Sequence, residues 1–318
     1  MIAAGRSSPR ASTSARALDR VRDGALPRVI WRVTFGVALS LSGYWIAGFY
    51  LWPSSDYLFL DAHIYFRATG AWLDGANPWQ TTYMGVPFAA IPPTLLLNVP
   101  LQPFGEPFAI LFWVAANTAA IGYLIRQLHL PRWIVLLLPV LEGWLGASPD
   151  LALAALLVAG GGWVAALAKP YSIPALLAHR RWRQLFWGMV AGVVTIPFLP
   201  WIQFFESREI ILDSFARFAG NPVSAVGHPL LIVAVTIALV SLGWRRGWSL
   251  TTPGLLAQQP HYLVFSLGTI ARSRLLILAM TIPIPHSAAI GVIAYAALVH
   301  VQSWRRLKST RAELETAT

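Results

Sequence analysis

Two acids bracket the stretch best suited to polar chemistry. Asp61 and Asp74 fall within LDAHIYFRATGAWLDGANPWQTTY, residues 60–83, in a chain with only 13 acids among 318 residues. Between them Ile64, Ala68, Ala71 and Trp72 recur at helical spacing, which predicts a short amphipathic helix over 61–73. Gly75-Ala76-Asn77-Pro78 stops it, and Asp74 reads as a helix-end residue. A carboxylate at the head of a surface helix, just after an apolar span, suits polar chemistry. The same position suits an N-cap Asp, which holds the helix start and is chemically inert. The residues alone leave both readings open. Lys169 is the second candidate, because it lies inside an apolar run before Pro170. A cation there is costly and usually functional. Its alternative is a lysine snorkelling to the cytoplasmic face.

The elements that must position these residues are membrane elements. Apolar residues make up 56% of the chain and charged residues 12%, and the mean hydropathy is +0.58. A soluble domain of this length could not bury so much apolar surface. The runs do not alternate apolar and polar residues, so an all-α, polytopic helical bundle is expected rather than a barrel. We expect roughly eight to ten membrane segments at about 20 residues each. The absence of cysteine removes disulfides, thiolate catalysis and cysteine metal sites. The net charge of +11 sits in tails and short loops between apolar runs, where topology explains it better than nucleic acid does.

Residues 1–28 read as a disordered basic cytoplasmic tail, 29–303 as the membrane domain and 304–318 as a second cytoplasmic tail. The first span, about 30–52, ends in Tyr44, Trp45, Tyr50 and Trp52, an interfacial aromatic belt. That ordering puts Asp61 on the extracytoplasmic side. Five prolines between Pro87 and Pro103 predict a kinked or re-entrant segment over 84–104. Spans are expected over 106–125, 133–147, 184–203, 226–243, 250–270 and 275–303, with short or broken helices over 151–179. A surface helix is expected within 204–224.

The motifs Asp61-Ala-His-Ile-Tyr65, Gly75-Ala-Asn-Pro-Trp79, Tyr83 and Pro92-Pro93 resemble the first extracytoplasmic loop of GT-C polyprenyl-phosphate-sugar-dependent glycosyltransferases. The nearest resemblance is to the GT87-like (DUF2029) alpha-mannosyltransferases of actinobacteria. Lys169-Pro-Tyr171 followed by Arg180-Arg-Trp-Arg183 is similar to a second segment of that family. The resemblance implies transfer of a sugar, mannose first, from a polyprenyl-phosphate donor to a hydroxyl on a cell-envelope glycolipid or glycan. It implies a multi-pass cell-membrane protein with both termini cytoplasmic and the active site outside. The lipid-linked sugar is then a co-substrate, and no cofactor or metal is needed if the phosphate clamp is adequate.

On that resemblance Asp61 is the general base for the acceptor hydroxyl, with Asp56 the fallback. Lys169 and Arg67 are the donor-phosphate contacts. His63, Tyr65, Asn77, Trp79 and Tyr83 are the substrate-binding residues, with aromatic planes suited to pyranose faces. The plainer readings are a structural histidine, a solvated face charge at Arg67 and interfacial tryptophan. Glu142, Asp150, Arg208, Arg217, His228, His261 and Arg272 are weaker polar candidates. No Walker-type loop, His-Glu-x-x-His, Gly-x-Ser-x-Gly or EF-hand pattern occurs, and the widely spaced histidines do not form a metal site. The short chain favours a second reading, a non-catalytic scaffold or lipid-binding partner of envelope biosynthesis. A transporter is a third, opposed by the absence of an internal repeat.

Overall fold

The computed structural model describes residues 28–51, 55–218 and 222–317. The expected N-terminal tail, the breaker at 52–54 and the last residue lie outside them. The described residues are helical almost throughout. In chain order the helices are α1 (Arg28–Ile46), α2 (Leu60–Leu73), α3 (Glu106–Gln127), α4 (Leu138–Leu145), α5 (Asp150–Ala159), α6 (Gly162–Ala168), α7 (Ile173–Ala178), α8 (Trp182–Thr195), α9 (Trp201–Glu206), α10 (Arg208–Phe218), α11 (Pro229–Ser241), α12 (Gly243–Thr251), α13 (Leu267–Ile270), α14 (Arg274–Thr281) and α15 (Ser287–Ala317). One hairpin, β1 (Thr82–Tyr83) against β2 (Val86–Pro87), is the only sheet among the described residues.

Among the described residues three helices are long and apolar enough to cross a membrane: Val29–Leu51, Glu106–Gln127 and Ser287–Glu315. Helices α4 and α5 form a fourth candidate, bent by 114° at their junction. Three or four helices of crossing length among the described residues stand beside the eight to ten membrane segments expected from the apolar runs. The difference lies in proline. Pro139 and Pro149 start α4 and α5, Pro229 starts α11, and Pro253 and Pro260 break the run over 250–270 into a π-helical turn and a 3-10 helix. A proline has no amide hydrogen with which to carry a helix through it, and the helices begun at Pro139, Pro149 and Pro229 are 8, 10 and 13 residues long, short of the roughly 20 residues that a bilayer crossing needs. Along α1 the side chains of Val33, Val37 and Leu41 share one face and are exposed. Such a stripe is stable against lipid and a liability in water. The expected C-terminal tail is continuous with α15.

The core forms where α3, α5, α11, α12, α13, α15 and the 3-10 helix Pro260–Ser266 meet, around Leu151, Leu153, Leu250, Leu263, Ile270 and Val292. Helix α2 belongs to a second cluster, with Leu60, Ile64 and Ala68 packed against Trp79, Phe88 and Leu95. The segment after it is short-range structure throughout. Met84 and Gly85 both take positive φ, 51° and 75°, as a two-residue hairpin turn requires. Two 3-10 helices, Pro92–Leu97 and Val99–Phe104, then lead into α3.

The start of α2 is docked, not side-chain capped. Phe59 occupies the cap position in a left-handed conformation, φ 59°, with no side-chain bond to the helix. Its amide donates to the Leu145 carbonyl at 2.8 Å, and the Asp61 amide to the Gly146 carbonyl at 3.0 Å. The orphan amides of one helix are thus met by the orphan carbonyls of another. The Asp61 carboxylate is not spent on capping, so the N-cap reading of Asp61 does not describe this helix.

Helices α14 and α15 pack through a glycine. A Cβ on Gly291 would stand 2.3 Å from the Ala279 Cβ, whereas one on Gly36 of α1 meets nothing within 4 Å. Overpacking of this kind costs roughly 1–3 kcal/mol. Gly291→Val should lower the melting temperature in detergent by several degrees, and Gly36→Val should leave it nearly unchanged. Equal shifts in the two variants would contradict the packing described.

Candidate active site

A cavity of about 280 Å³ opens where α2 meets the break between α6 and α7. Asp61 and Tyr65 enter it from α2, Glu142 from α4, Lys169 from the α6 break, and His261 and Tyr262 from the 3-10 helix Pro260–Ser266. Its apolar wall includes Leu60, Ile64, Val86 and Phe88. The proline-broken segment over 84–104 therefore lines a cavity, as irregular backbone in a membrane protein must.

Lys169 is the C-terminal cap residue of α6 and is buried, with 4% of its side chain exposed. Its Nζ lies 3.4 Å from Asp150 Oδ1 and donates to the Tyr65 hydroxyl at 2.5 Å. The rings of Tyr65, Tyr171 and Tyr262 surround the same nitrogen, with centroids at 4.9, 5.4 and 5.7 Å. This is an aromatic cage closed by a carboxylate. It fits the broken-helix reading of Lys169 and not a snorkelling lysine. Asp150, wholly buried, also accepts from Ser148 Oγ at 3.1 Å. Asn117 of α3 donates to the Ser148 carbonyl at 2.8 Å and fixes that turn.

His261 joins the carboxylates. Its Nε2 lies 3.4 Å from Asp150 Oδ2 and 3.9 Å from Asp61 Oδ2, and its Nδ1 lies 3.5 Å from Glu142 Oε2. The His261 amide also donates to Glu142 Oε2 at 2.8 Å. Burial alone would lower the His261 pKa; Glu142 first, then Asp61 and Asp150, outweigh it and hold the imidazole above its ordinary value. Burial, and then Asp61 and Asp150, push the Tyr65 hydroxyl far above its usual range, so it stays a neutral phenol. Of the three acids Asp61 is the accessible one, 21% exposed against 5% for Glu142 and none for Asp150. Asp61 is therefore the carboxylate of the three that a molecule entering the cavity can reach.

The cavity brings together Asp61, Tyr65 and Lys169 from the residues expected of a site. His63, Arg67 and Tyr83 lie elsewhere on α2 and β1. Arg67 Nε donates to Glu106 Oε1 at 2.8 Å, His63 Nδ1 lies 2.7 Å from the same oxygen, and the His63 ring stacks on Tyr83 at 4.3 Å. Arg67 is thus engaged by Glu106 at the start of α3. Asn77 Oδ1 accepts from the Trp79 amide at 3.0 Å, and its Nδ2 donates to Ser207 Oγ at 2.9 Å. Trp79 is fully buried and donates to the Ala90 carbonyl at 2.9 Å. These two hold the loop behind the cavity wall. His228 packs against His286 at 4.2 Å, and neither it, Asp56 nor Arg208 lines the cavity. The side chain of Arg217 lies outside the described residues. Glu142, Asp150 and His261 are more central than their sequence context showed. Their signal was an acid or histidine inside an apolar run.

No family model, curated protein or solved structure matches the chain.

Because its pKa is raised on folding, His261 stabilises the protein below its unfolded value of about 6.5. That contribution is lost as pH rises through the higher folded value. The melting temperature gap between wild type and His261→Gln should be widest near about pH 6 and narrow towards about pH 9. A gap independent of pH would contradict the ionic network.

Proposed function

We propose that the chain is an integral membrane glycosyltransferase. It moves a sugar, mannose in the first instance, from a polyprenyl-phosphate donor to a hydroxyl of an envelope glycolipid or glycan outside the membrane. The observation that carries the reading is a single cavity shared by an accessible carboxylate, Asp61, and a caged cation, Lys169. Asp61 takes the proton of the acceptor hydroxyl as that oxygen attacks the anomeric carbon. The bond from that carbon to the phosphate oxygen breaks, and the electron pair leaves with the polyprenyl phosphate. Lys169 and the neighbouring tyrosine hydroxyls meet the charge that develops on the leaving group. Leu60, Ile64, Val86 and Phe88 offer apolar surface to the donor beside these polar groups.

One observation favours the second reading, a non-catalytic lipid-binding member. Three carboxylates face two bases, and Lys169 is already paired with Asp150. An incoming phosphate meets a centre that is net negative even with His261 protonated.

Labelled polyprenyl-phosphomannose with a mixed glycolipid extract separates the two. The wild-type chain in detergent should release free polyprenyl phosphate. Asp61→Asn should cut turnover by about 10²–10⁴-fold with donor binding retained. Equal turnover by wild type and variant would remove the base assignment. Donor binding without turnover by wild type would favour the lipid-binding reading.

A further inference from the structure

A second cavity, of about 110 Å³, is lined on its polar side by His179, Arg245, Arg272, Ser249, Ser266 and Thr269. None of its lining residues is acidic. The basic groups come from three places in the chain: the end of α7, helix α12 and the turn after α13. A solvated basic stretch has no need to converge on one concavity, whereas an anion site does. Leu124 and Leu128, at the far end of α3, form part of its apolar wall. Leu124 is eighteen residues beyond Glu106, about 27 Å along the helix, which is close to the thickness of a bilayer core. The cavity therefore lies a membrane thickness from the Glu106 end of α3, where α2 is anchored.

Its surroundings suit a membrane boundary. Trp182, Trp244 and Trp248 form a chain of ring contacts at 6.1 and 5.7 Å, and Trp244 Nε1 donates to the Leu177 carbonyl at 2.8 Å. Arg181 donates to the Leu157 carbonyl beside the cavity. Partial burial, then the charges of Arg245, Arg181 and Arg272, hold the His179 pKa below its ordinary value. A bound anion would reverse that balance.

We infer that this cavity binds a phosphate-bearing anion, either free or as the headgroup of an anionic phospholipid, at a place distinct from the Asp61 site. The site is independent of glycosyl transfer and stands whether or not the chain is an enzyme.

The His179 ring can report on it directly. Its titration would be followed by NMR in the full-length chain with three additions: inorganic phosphate in detergent, phosphatidylglycerol nanodiscs, and phosphatidylcholine nanodiscs as the neutral reference. The His179 pKa should rise by about one unit or more with a phosphate-bearing anion, and Arg245→Gln should lose most of that rise. A rise with inorganic phosphate alone assigns the site to a soluble anion. A rise with phosphatidylglycerol alone assigns it to a lipid headgroup. No rise in either arm, or an equal rise in Arg245→Gln, overturns the inference. The wild-type titration decides the matter even if the variant fails to fold.

Discussion

A lysine ammonium with almost no access to solvent is the constraint on which this molecule turns. Removing such a charge from water costs several kcal/mol unless a partner and further donors or acceptors replace the hydration. Lys169 obtains a carboxylate from α5, a hydroxyl from α2 and the faces of three tyrosines. Satisfying that one group fixes four parts of the chain relative to each other. They are α2, α5, the α6 break and the turn carrying Tyr262. His261, next to Tyr262, then extends the same network to Glu142 and Asp61.

The seating of α2 follows from a second satisfied debt of hydrogen bonding. The C-terminal carbonyls of α4 accept from the first amides of α2, so neither end needs solvent. Three consequences meet here. Asp61 is left facing the cavity, Tyr65 one turn on reaches Lys169, and Arg67 and His63 lie where Glu106 can hold them. One helix therefore carries the accessible acid on one side and its structural anchor to α3 on another.

How much of this could be read in the sequence depends on the range of the interaction. The local features were legible. The spacing of Ile64, Ala68 and Ala71 gave a helix over 61–73, against Leu60–Leu73 in the structure, and the span over 106–125 is α3. The prolines over 84–104 signalled broken backbone, and it is broken. The number of spans was not legible, because a proline inside an apolar run fits either a kinked crossing or two short helices that turn back. The bend of 114° at Ser148-Pro149 is such a break. The site was half legible. Asp61 and Lys169 stood out as charges in an apolar chain, but the partners that define them lie far away in sequence. Glu142 and His261 are 119 residues apart and Lys169 and Tyr65 are 104 apart. Nothing local in Asn77 or Trp79 told a sugar contact from a loop fastener.

The central claim is that Lys169 and Asp150 form one buried unit that organises the polar centre. A double-mutant cycle on thermal stability measures it most directly. Lys169→Met and Asp150→Leu should each cost about 3–5 kcal/mol, since each strands a buried charge. The double variant should recover most of that loss, because it buries no unpaired charge. Losses that simply add in the double variant would contradict the account.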